Sequence, residues 1–142
     1  MSSFHFSDAI NETYYEALEK LFFFNPGQSR YYQRIVETVE TYGQPKIVKT
    51  NGMLTLQIEG RPSESLFISE SNRLAGMLLY IQETDSLLNV LHFAVAPSFA
   101  FGQVSGSVLV VELMMEEIKK RARENPRIAH IKLSYTQQLI KI

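Results

Sequence analysis

The run Leu87 to Ala96 limits the possible folds more than any other stretch, because apolar side chains fill both of its parities. Leu87, Leu91, Phe93 and Val95 fall on one face and Leu88, Val90 and Ala94 on the other. A strand covered on both faces lies inside a sheet. After a loop from Pro97 to Ser105, a helical period runs from Gly106 to about Glu124 through Val108, Val111, Met115, Ile118 and Ala122, and Asn125-Pro126 stops it. Ile128 to Tyr135 then reads as a strand, with Ala129, Ile131, Leu133 and Tyr135 facing one way. Strand, helix and strand in this order make a right-handed parallel crossover, so at least part of the sheet is parallel.

The chain ahead of this unit has two further periods. Ile10, Tyr14, Ala17, Leu18 and Leu21 fall on one helical face, which predicts an amphipathic helix from about Ser7 to Phe24, stopped by Asn25-Pro26-Gly27. A second helix is expected from near Ser29, with a stripe of Tyr32, Ile35, Val36 and Val39, ending at Tyr42-Gly43. From Lys46 the period changes to two. Asn51-Gly52 between Ile47–Thr50 and Met53–Glu59 is a hairpin signal, and the strands Ser65 to Glu70 and Leu74 to Glu83 extend it into an antiparallel meander.

Composition then excludes several classes. With 142 residues the chain is expected to be one domain, and its formal charge of −1, with both signs interspersed, offers no field to attract a nucleic acid. Lys119-Lys120-Arg121-Ala122-Arg123 closes a helical pattern, where cations offset the helix dipole. The absence of cysteine removes disulfides, thiolate metal sites and cysteine nucleophiles. No apolar run approaches the ~20 residues that a membrane span needs, and no secretory pattern opens the chain, so a cytoplasmic location is expected.

The order of elements (two helices, an antiparallel meander, a buried strand, a loop, a long helix and a parallel strand) resembles that of the GNAT acyltransferases, an α/β (α+β) fold. Leu74-Ala75-Gly76-Met77-Leu78-Leu79-Tyr80 looks like that family's third strand, and Leu91-His92-Phe93-Ala94-Val95-Ala96-Pro97 like its fourth. Gln103-Val104-Ser105-Gly106-Ser107-Val108 is similar to its pyrophosphate loop, with valine at the last place where the family has Gly or Ala. Such a loop suits a phosphate because the N–H groups at a helix start are unpaired and the dipole there is positive. The resemblance implies acetyl-CoA or another acyl-CoA as co-substrate, held by Phe93, Val95, Gln103, Val104, Ser105, Gly106 and Ser107, and an amine as acceptor. The alternative it leaves open is a non-catalytic module that senses CoA or binds a protein partner.

Acyl transfer to an amine needs a polarised carbonyl and groups that move protons. Tyr135 is the candidate general acid, with His92 and Glu83 as the other titratable candidates. Each has a plain alternative: Tyr135 capping the core, His92 satisfied inside it by one hydrogen bond, and Glu83 solvated in a turn. His5, His92 and His130 stand at no metal-ligand spacing, so no metal is expected. The run Leu21-Phe22-Phe23-Phe24 cannot all face inward on one helix, which predicts an exposed aromatic surface. Only Thr136 to Ile142 follow the last strand, enough for at most one more short strand. An open apolar edge there predicts a two-fold homodimer through the C-terminal strands.

Overall fold

The computed structural model describes residues 4–23, 25–99 and 106–142. Among the described residues, nine strands and three α-helices run in the order β1 (Phe4–Ser7), β2 (Ile10–Asn11), α1 (Tyr15–Phe22), α2 (Tyr32–Tyr42), β3 (Pro45–Thr50), β4 (Met53–Ile58), β5 (Glu64–Glu70), β6 (Arg73–Thr84), β7 (Leu87–Val95), α3 (Gly106–Arg123), β8 (His130–Leu133) and β9 (Gln138–Lys141). The architecture is a mixed α+β one. Its main sheet has six strands in the order β1-β5-β6-β7-β8-β9, and a second sheet has three, β2-β4-β3. Every neighbouring pair in the main sheet is antiparallel except β7 and β8, which run parallel as the crossover requires.

Two cores flank the main sheet. Leu66, Ile68, Ala75, Leu78, Tyr80, Leu88, Val90, Ile131 and Leu133 pack on α3 through Val110, Met114, Ile118 and Ala122. Phe67, Met77, Leu79, Ile81, Leu91 and Ala94 meet Leu18, Leu21 and Phe22 of α1 and Leu54, Leu56 and Ile58 of β4 on the other side. The long helix can lie this close because Gly76 has no side chain. A Cβ there would stand 3.0 Å from the Ala94 carbonyl oxygen and 3.2 Å from Met114 Sδ.

Several expectations are corrected. The helix expected from Ser7 starts only at Tyr15, because Phe4–Ser7 pairs with β5 and Ile10–Asn11 with β4, and long-range pairing overrides the local helical period. Pro26–Tyr31 is a 3₁₀ turn, so α2 starts at Tyr32, which is 71% exposed, while Ile35, Val36 and Val39 are half buried. The meander divides at Gly60–Ser63. The Asn51-Gly52 hairpin forms, with φ of 52° and 78°, but it belongs to the smaller sheet. The last strand is shorter than expected, and its outer edge is covered by β9, with Ile131 opposite Ile140.

The face assignment in β7 is also corrected. Its register with β6 runs Leu79 to His92 and then Tyr80 to Val90, so Leu91 is an extra, bulged residue. Alternation is interrupted there: Leu88, Val90, Phe93 and Val95 pack toward α3, whereas Leu91 and Ala94 pack toward α1. Sequence parity had grouped Leu91 with Phe93.

Candidate functional site

The bulge sits where β7 leaves β8. Pairing of the two strands ends at Val90 opposite Leu133, and the Ser134 N–H closes the ladder on the Val90 carbonyl at 3.0 Å. Beyond this point β7 keeps β6 on one side, as far as Gly76 opposite Val95, and among the described residues has no strand on the other. Two carbonyls of that edge are met by side chains instead. Gln28 Nε2 donates to the Phe93 carbonyl and Asn25 Nδ2 to the Val95 carbonyl, each at 2.9 Å. Both carboxamides are buried; Asn25 immediately precedes the 3₁₀ turn that begins at Pro26, and Gln28 lies within it. Buried carbonyls need such partners, and here a turn supplies what a neighbouring strand would.

The last residue of that turn, Tyr31, joins Phe93 and Tyr135 in a three-ring cluster with centroids 5.0–5.5 Å apart. The Tyr135 hydroxyl lies 2.8 Å from His92 Nδ1, and Phe22 of α1 sits edge-on to the same imidazole at 5.3 Å. Thus the crossover brings together His92 and Tyr135, two of the three titratable candidates. Both are buried. Burial lowers the His92 pKa to about 4, so the ring is neutral at physiological pH. Burial also raises Tyr135 well above the ordinary phenol range, against a hydrogen bond with Gln28 that lowers it, so the hydroxyl keeps its proton. Among the described residues, His92 Nε2 has no hydrogen-bond partner. An unpaired buried lone pair costs less than an unpaired N–H. This favours the tautomer in which Nδ1–H donates to the Tyr135 oxygen and leaves the phenolic hydrogen free to point elsewhere.

Glu83, the third candidate, belongs to a separate cluster. Its Oε1 accepts from the Tyr42 hydroxyl at 2.6 Å and from Asn89 Nδ2 at 2.7 Å, and Asn89 Nδ2 also reaches the Tyr42 oxygen at 3.0 Å. Burial alone would raise the Glu83 carboxyl, but these two hydrogen bonds and the charges of Lys132 and Arg61 outweigh it and hold it below its usual range. The same carboxylate and burial push Tyr42 up to about 12. Asn89 is fully buried, and its Oδ1 accepts from Ser134 Oγ at 2.8 Å. It therefore ties the β6–β7 turn and the end of α2 to the point where β7 and β8 separate. Sequence reasoning passed over Asn89, although a lone carboxamide in the most apolar strand is itself a signal, since a buried amide must find partners. Asn25 and Gln28 carried no such signal.

Of the residues expected to hold a co-substrate, Phe93 and Val95 line the open edge, with side chains toward α3. Gly106 and Ser107 begin α3, while Gln103, Val104 and Ser105 lie outside the described residues. The expected aromatic surface is present in part: Phe22 is buried and Phe23 exposed, and Phe24 lies outside the described residues. In the basic run that closes α3, Arg121 is a clamp, bonded to Asp8 at 2.7 Å, to Glu117 at 3.3 Å and to the Tyr80 hydroxyl at 3.0 Å. Among the described residues, no three His, Asp or Glu side chains gather as a metal site, and no helix is long and apolar enough to cross a membrane. No family model and no curated protein matches the chain, so the chemistry has to be read from this geometry.

Proposed function

We propose that the chain is a small GNAT-like N-acyltransferase that binds acetyl-CoA or another acyl-CoA along the open edge of β7 and transfers the acyl group to an amine. The observation that carries this reading is the separation of β7 from β8 beyond Val90, with the Tyr135 hydroxyl beside the gap. The pantetheine arm of CoA is an extended chain with two amide N–H groups. Phe93 and Val95 offer carbonyls at a two-residue spacing, which the carboxamides of Gln28 and Asn25 show to be good N–H acceptors. In the reaction, the amine nitrogen attacks the thioester carbonyl, a C–N bond forms and the C–S bond breaks. Tyr135 gives its proton to the leaving thiolate, and the proton lost by the amine returns to Tyr135 through water.

Calorimetry with acetyl-CoA tests the binding half of this. Micromolar affinity, about −8 kcal/mol, is expected, weakened by Gly106→Trp, which would crowd the start of α3. No heat and no thermal shift at millimolar acetyl-CoA would end this reading. A second reading, a CoA sensor or interaction module without catalysis, is favoured by one observation: the β7 carbonyls are already occupied. Release of free CoA across a panel of amines separates the two.

Assembly as a two-fold homodimer is part of the same proposal, now through β9. That strand ends the main sheet among the described residues, and Leu139 on it is 60% exposed. Light scattering at ~100 μM, far above the dissociation constants of stable interfaces, should show a dimer for the intact chain. It should show a monomer for Leu139→Lys, since an edge lysine disfavours strand pairing. A monomeric intact chain refutes it.

A further inference from the structure

The turn that closes β7's open edge is built from groups that imitate a ligand. Asn25 and Gln28, three residues apart on either side of Pro26, present two primary carboxamides to two carbonyls two residues apart on one strand. The turn is held in shape by the Gln28 N–H donating to the Asn25 carbonyl at 3.0 Å. Tyr31, at its far end, lies 5.1 Å from the Tyr135 ring and 5.5 Å from that of Phe93. Gln28 is the pivotal residue, because its carboxamide holds the Phe93 carbonyl while the Phe93 ring packs 5.0 Å from that of Tyr135. An extended amide ligand laid along β7 needs the same carbonyls.

We propose that Asn25–Tyr31 is an intramolecular latch whose carboxamides compete with the amide groups of the ligand, so that docking at the edge of β7 and withdrawal of the Tyr31 ring from Tyr135 are one event. The proposal rests on the acyl-CoA reading above. An empty site keeps the Tyr31 ring against Tyr135, and a ligand that cannot replace both carboxamide bonds leaves it there. The class of ligand selected is an unbranched chain with two secondary amides at near-strand spacing, the pantetheine arm rather than the nucleotide. The latch lowers apparent affinity by the fraction of molecules in which it is open.

The test is a calorimetric titration of the native chain and of the double variant Asn25→Ala/Gln28→Ala with acetyl-CoA, and with pantetheine alone. Each latch hydrogen bond has a modest net value, so the variant is expected to bind both ligands about ten- to thirty-fold more tightly than the native chain. Should the double variant fail to fold, Gln28→Met, which keeps the volume and removes the N–H donors, takes its place with a smaller gain in the same direction. Trypsin gives a second reading on the native chain. Arg30 lies within the latch and is exposed, so saturating acetyl-CoA should speed cleavage after Arg30. Equal or weaker binding by the variant, or slower or unchanged cleavage of the native chain on saturation, overturns the latch and leaves the acyl-CoA site standing. Absence of binding by both proteins overturns the site and the latch together.

Discussion

Replacing Asn89 with alanine is expected to cost about 3 kcal/mol of folding stability, since one of its hydrogen bonds goes to a carboxylate and the others are neutral. The side chain is fully buried and donates to Glu83 and Tyr42 while accepting from Ser134. Its loss leaves the buried Ser134 hydroxyl without its acceptor and opens a small void beneath the β6–β7 turn. Leucine fills the volume but restores none of the three contacts, so Asn89→Leu should be no better. Urea denaturation provides the measurement, with the midpoint falling by about 1–2 M at the slopes usual for a domain of this size. A loss below about 1 kcal/mol, the value of an ordinary single hydrogen bond, would mean that the network is not held by Asn89.

Acid should unfold the protein in the range where histidine titrates, and His92 is the reason. Its pKa is about 4 in the folded chain and 6.5 in an ordinary setting. Above pH 6.5 the ring is neutral in both states, and it contributes no pH dependence. Between pH 6.5 and 4 the unfolded chain takes up a proton that the folded chain refuses, so stability falls as pH falls. At about 1.4 kcal/mol per pH unit the loss reaches about 3 kcal/mol by pH 4. Carboxylates add their own acid sensitivity, Glu83 among them because its pKa is depressed. The comparison is therefore with His92→Phe, which keeps an aromatic ring beside Phe22 but has nothing to titrate. Between pH 7 and pH 4.5 the native chain should lose about 2.5 kcal/mol more than this variant. Equal losses would show that the imidazole accepts its proton without leaving the fold.

Local signals revealed the elements whose cause is local. Asn51-Gly52 marked a real hairpin because its left-handed backbone depends on those two residues, Gly43 marked a real helix end for a similar reason, and Asn125-Pro126 marked another because proline cannot continue the helical ladder. The β7–α3–β8 crossover was legible from its change of period, and His92 and Tyr135 were legible as candidates from their chemistry. Their contact was not, because it spans 43 positions and depends on where the crossover sets β8 down. The first strands were invisible for a related reason: Phe4–Ser7 alternates half-buried and exposed residues, and only pairing with β5 makes it a strand. Asn25 and Gln28 stood in a segment that reads as a helix stop and nothing more.

The residue Leu91 is surplus length in β7. Were it absent, Val90, His92, Phe93, Ala94 and Val95 would alternate without interruption, and the core residues among them would still point into the layers they occupy now. What would vanish is the extra bend and twist that a bulge imposes on its strand. The gap beside Tyr135 is then set by counting residues rather than by choosing them: a shorter strand of the same composition could follow β8 past Leu133 and close over the place where a ligand would lie.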